Sequence, residues 1–121
     1  MSSILWLHEN WVYVAIGATG VVGIWGLGLA VLRRPPGRAF GIGAGVAIAV
    51  ILIQVAAGTA LYVYGLRPLN GFHVFYGVII AVTLSLAYVY RAQLARHPAL
   101  AYGLLLLFVM GLGFRAWANV S

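Results

Sequence analysis

Two histidines stand beside long apolar runs in a chain that has a single carboxylate: His8 in WLHENW and His73 in NGFHVFYG. Imidazole is what remains once other chemistry is removed. The lone acid, Glu9, excludes paired-carboxylate mechanisms and carboxylate-rich metal sites. The absence of cysteine excludes disulfides, thiolate metal sites and iron–sulfur clusters. No serine stands in a triad-like context and no phosphate-binding glycine loop follows a strand, so no catalytic residue is expected. Neutral imidazole ligates iron, and histidines from facing helices are a standard means of holding haem inside a bundle. His8 heads a helical stripe through Val12, Ala15, Thr19 and Val22, and His73 heads one through Gly77, Ile80 and Leu84. Each imidazole thus has little bulk one turn below it, as a pair of axial ligands around a porphyrin requires. His97, next to Pro98, reads as a solvated loop residue.

The elements that must carry these residues are membrane helices. The 121 residues are 64% hydrophobic and 7% charged, with a mean hydropathy of +1.07, which leaves too little polar surface for a water-soluble globule. A hydrocarbon core of roughly 30 Å needs about 20 apolar residues per helix, so the length accommodates four spans and no soluble domain. RRPPGR, GLRPLNG and RAQLARHP interrupt the apolar sequence, and prolines end or begin helices at each. The expected helices cover residues 4–32, 39–64, 72–95 and 98–118. Connections this short make neighbours antiparallel, so the predicted fold is all-α, a single transmembrane four-helix up-down-up-down bundle over residues 1–121. The start MSSILWLHENW has no basic n-region or small-residue cleavage site, and the first span is expected to be retained.

Arg33, Arg34, Arg38, Arg91 and Arg96 fall in the first and third connections, against Arg67 and Arg115 toward the other side. The positive-inside rule then places both termini outside. A reporter fused after Ser121 should be found outside and one inserted at Gly37 inside; a cytoplasmic C-terminus would overturn the assignment. The net charge of +6 is a topology signal with lipid phosphates as counter-ions, and nucleic acid is not an expected partner. Arginine without lysine points to a GC-rich genome, hence a bacterium and its inner membrane.

On this topology His8, Glu9, Arg67, His73 and Arg115 gather at the outer end, ringed by Trp6, Trp11 and Trp117 as an aromatic belt. Glu9 is expected to pair with Arg67 or Arg115, since an unpaired acid near hydrocarbon is costly. Gly17, Gly20, Gly23, Gly26 and Gly28 in the first span, and Gly41 and Gly45 in the second, are expected to allow close helix packing. Gly58 and Gly77 are the candidates for a slot admitting a flat cofactor.

The run from WLHENWVYVAIG through LRRPPGRAFGIG to IQVAAGTALYVYGLRPLNGFHVFYG resembles one four-helix half of heme A synthase, over roughly residues 6–90. In that family a haem-binding histidine opens a helix that runs to a basic turn. The next helix carries a glutamine with a glycine four residues later, and a Leu-x-Pro-like loop then leads to a second haem-binding histidine. Gln54, Gly58, Leu66, Pro68 and His73 stand in that order here, and His8 precedes the basic turn. The resemblance implies that His8 and His73 are paired axial ligands of a b-type haem; Gly58, Gly77 and Arg67 are further candidates to bind the cofactor. Position 5 is Leu5 where the family has a glutamate, and the family's cysteine pair is absent, so the synthase reaction is not implied. Two function classes follow: a haem-b membrane protein for electron transfer or haem handling, and a cofactor-free accessory subunit of a respiratory or photosynthetic complex. Both imply a lipid bilayer and either other membrane subunits or a homo-oligomer. Quinone or lipid binding near Tyr62, Tyr64, Tyr76 and Arg67 is a third reading.

Overall fold

The computed structural model of the chain describes residues 2–65 and 71–118. Its elements are α1 (Ser2–Val31), α2 (Gly37–Val63), α3 (Gly71–Val89), α4 (Arg91–Leu94) and α5 (Pro98–Ala118). α1, α2, α3 and α5 are each long and apolar enough to cross a membrane, which marks an integral membrane protein. Their outward faces expose Trp6, Val21, Ile24, Leu52, Phe75, Val78, Leu104 and Phe108, the apolar surface a bilayer would solvate.

Around the bundle the order is α1, α2, α3, α5. α1 packs extensively on α5 and α2, and α3 leans mainly on α5. The α2–α3 side is only lightly closed, and α1 and α3 stand diagonally. The α1–α5 register is set by glycine. A Cβ built on Gly26 would lie 2.7 Å from the Ala99 carbonyl oxygen and 2.9 Å from the Gly103 Cα. One built on Gly103 would lie 2.9 Å from the Leu27 nitrogen. Gly23 lies against Leu107 and Gly20 against Met110, so the two helices run antiparallel in close contact. Gly17, Gly28, Gly41 and Gly45 differ from expectation: added carbons there would meet nothing within 4 Å. Glycine at helical spacing permits close approach, but only the stripe facing another helix uses it.

The core has two centres. Ala15, Ile51, Ile80, Leu84, Val109 and Leu112 form one, and Phe40, Ala44, Ala47 and Leu106 the other. The stripes headed by the histidines do face inward: Val12, Ala15 and Thr19 are buried on α1, and Ile80 and Leu84 on α3. Thr19 satisfies its buried hydroxyl by donating to the Ala15 carbonyl at 2.8 Å.

Two expectations need correction. The third span does not run continuously to residue 95: α3 ends at Val89, Tyr90 leaves helical geometry (φ −99°, ψ 21°), and α4 starts afresh. At this break the Arg91 guanidinium lies 4.3 Å from the Tyr88 ring centroid and donates to the Tyr88 carbonyl at 2.8 Å. Trp11 turns inward where an outward-facing aromatic was expected. It is half-buried, and its indole N–H donates to the Val50 carbonyl on α2 at 2.8 Å. Trp6 and Trp117 do lie exposed. Glu9 is exposed. Its expected partner Arg67, with Leu66 and Pro68, lies outside the described residues.

Candidate functional site

The His8 site starts from the α1–α2 seam. His8 and Trp11 lie three residues apart on one face of α1, and Val50 and Gln54 four apart on one face of α2, so the two pairs meet as the helices run antiparallel. The Gln54 side-chain amide donates to the His8 carbonyl at 2.7 Å, while the His8 Nδ1 bonds the Gln54 carbonyl at 3.0 Å. The exchange ties one residue on each helix to the other's backbone. Gln54 keeps a second group in reserve, because its Oε1 is buried with no hydrogen-bond partner among the described residues. A buried acceptor of this kind suits a water or a ligand donor.

His73 is held differently. Its Nδ1 bonds the Ala116 carbonyl at 2.6 Å, which anchors the first turn of α3 to the last turn of α5. A carbonyl oxygen can only accept, so the Nδ1 of both histidines carries the proton and the neutral rings keep their lone pairs on Nε2. Neither Nε2 has a hydrogen-bond partner among the described residues.

The two rings come together from diagonal helices, with centroids 5.8 Å apart and planes at 88°. Two metal–imidazole bonds of about 2 Å, plus the half-width of each ring, would put the centroids of a linear pair roughly 6 Å apart. Both rings are part-buried. No group of three or more His, Cys, Asp or Glu capable of holding a metal occurs among the described residues. Two imidazoles are too few for an ion bound by protein alone, but two would suffice for an iron whose remaining ligands a macrocycle supplied.

The glycines divide the work. Gly58 is the seat of the His8 ring, because a Cβ there would lie 2.8 Å from its Cε1 and 3.4 Å from Nδ1 and Nε2. The gap expected to admit a flat cofactor is therefore taken by imidazole. Gly77, one turn below His73, faces open space within 4 Å. Replacing Gly58 with Ala should push the His8 imidazole away and strain its bond to Gln54, an overpacking cost of about 1–3 kcal/mol. Circular-dichroism melting in detergent should show a lowered midpoint for Gly58→Ala and no loss for Gly17→Ala, whose methyl meets nothing within 4 Å. Equal midpoints would show that the ring is not seated on Gly58.

Trp11 and Gln54 complete the seam around His8, Gln54 from the motif named above and Trp11 from a position expected at the interface. The signal was present in their helical spacing from His8 and Gly58. Of the remaining candidates, Arg115 lies exposed on the last turn of α5, next to the Ala116 carbonyl that holds His73. Tyr62 and Tyr64 are exposed near the end of α2, and Tyr76 is half-buried in α3. No protein-family model, curated protein or solved structure matches this chain, and the reading of the site rests on its own geometry.

Proposed function

We propose that this chain is a small haem-b-binding membrane protein, with His8 and His73 as the axial pair, serving electron transfer or haem handling. The observation that carries the reading is the pair itself: two part-buried imidazoles from diagonal helices, 5.8 Å apart, each with Nδ1 committed to a backbone carbonyl and Nε2 without a hydrogen-bond partner among the described residues. Haem, when bound, supplies one-electron chemistry at its iron. The chain's own residues do the positioning. The Gln54 and Ala116 carbonyls fix the tautomer and orientation of the two rings, as outer-sphere acceptors do for metal-binding histidines. Gly58 seats one ring, and Gly77 leaves space beneath the other. The lightly closed α2–α3 side offers a flat group a way in.

A bacterial inner-membrane setting accords with the arginine-rich, lysine-free composition. The cofactor-free accessory-subunit reading keeps one specific support: perpendicular rings at this distance are also a favourable edge-to-face contact without any metal. The visible spectrum of protein purified in mild detergent from haem-replete cells separates the two. A Soret band and a dithionite-sensitive α band are expected, and their absence after added hemin would favour the accessory subunit.

A further inference from the structure

At the end of the bundle away from the histidines, Pro36, Phe40, Gly41 and Gly45 of the α2 side face Pro98 and Tyr102 of α5 across a groove of about 370 Å³. Its size falls within the roughly 300–1,000 Å³ of small-molecule sites. Its lining carries one polar side chain, the Tyr102 phenol. Gly41 and Gly45, which pack on no helix, form its open floor.

The rim is as basic as the floor is apolar. Arg34 and Arg38 flank Pro36 and Gly37 at one lip, and Arg96 stands two residues before Pro98 at the other; all three are exposed. Arg33 adds to this end from the C-terminal turn of α1. It holds φ +54°, with Arg34 N–H bonded to the Leu29 carbonyl at 2.9 Å and Arg33 N–H to the Ala30 carbonyl at 3.2 Å. That left-handed cap position favours glycine, yet it carries a guanidinium. The chain has no side-chain carboxylate with which to neutralise these groups. Its only acid, Glu9, is on the first turns of α1, at the opposite end. Counter-charge must come from another molecule.

We infer that this groove binds an anionic phospholipid, an acyl chain lying along Gly41 and Gly45 and the phosphate meeting Arg34, Arg38 and Arg96. A methylene chain needs no hydrogen-bond partners from an apolar floor, and guanidinium matches phosphate geometry. Basic pockets between membrane helices bind such headgroups by the same pairing. A second copy of the chain is disfavoured on this face, because it would bring arginines against arginines with no acid on either side.

The test uses the whole chain in detergent, exchanged with mixed micelles of phosphatidylglycerol or of phosphatidylcholine, with retained lipid counted by native mass spectrometry. Phosphatidylglycerol should be retained preferentially. Gly45→Leu, which fills the groove from a position with open space around it, should reduce that retention about tenfold, as should the combined Arg34→Gln, Arg38→Gln, Arg96→Gln variant. Circular dichroism checks that both variants stay folded. Equal retention of the two lipids, unchanged retention by Gly45→Leu, or full displacement by inorganic phosphate alone would each overturn the proposal. A dimer lost on Gly45→Leu with lipid retention unaffected would overturn it in favour of a self-association face.

Discussion

Replacing His73 with Ala is expected to remove the Soret and α bands from the purified protein, and His8→Ala to leave at best an altered, five-coordinate spectrum. The two should not be equivalent. His73 Nδ1 is tied to Ala116 by the shorter bond, 2.6 Å, whereas His8 sits in a pocket edge formed by Gly58 and Gln54. Neither ring has another histidine to replace it: His97 is exposed in the α4–α5 connection, so His97→Ala should leave the spectrum unchanged. The His73→Gly variant gives a check on folding, because added imidazole can occupy the vacated space and restore a six-coordinate spectrum if only the ligand was lost. Wild-type bands that survive His73→Ala would show that the iron is held elsewhere, and the His8–His73 contact would be a ring–ring contact only.

The second large effect is expected at Gly103, where nothing in the neighbourhood can yield. A side chain there would meet the Leu27 nitrogen at 2.9 Å and the Gly23 carbonyl oxygen at 3.1 Å, both backbone atoms of α1. Flexible side chains can swing aside for a new methyl group, but two crossing helices must separate. Gly103→Leu should therefore cost more than the usual overpacking figure of about 1–3 kcal/mol and broaden or abolish cooperative melting in detergent. Gly41→Leu adds the same bulk where nothing lies within 4 Å and should melt as wild type does. The consequence reaches the histidines. His8 is on α1 and His73 is fastened to α5 through Ala116, so the α1–α5 crossing sets the distance between the rings. Gly103→Leu should also diminish any haem retained, at a position far from both ligands in sequence. Unaltered melting would mean that the crossing is looser than the backbone contacts indicate.

Much of the architecture is legible because lipid imposes a single rule: backbone polar groups must be satisfied within the span, so long apolar runs become helices and prolines with arginines mark their ends. The four spans, their short connections and the inward stripes below His8 and His73 follow from apolar counting and a helical period. What is less legible is which face of a uniformly apolar helix meets another helix and which meets lipid. α1 carries glycine at 17, 20, 23, 26 and 28, and the period alone does not separate Gly26, against the α5 backbone, from Gly28, which faces open space. The end of α3 is another local decision, taken where Arg91 folds over Tyr88.

The same division runs through the candidate site. Sequence determined that imidazole is the only metal-binding chemistry beside the apolar runs, and that two of the three histidines belong near one end of the bundle. It also held Gln54, Gly58 and Trp11 at helical intervals without saying what each touches. Tertiary structure decided that Gln54 and His8 exchange bonds to one another's backbone, that Gly58 is occupied by the His8 ring, and that the Ala116 carbonyl orients His73. These are side-chain to backbone contacts between residues 43 or 46 positions apart. Any carbonyl looks the same in a sequence, so the choice of acceptor is written only in how the helices cross.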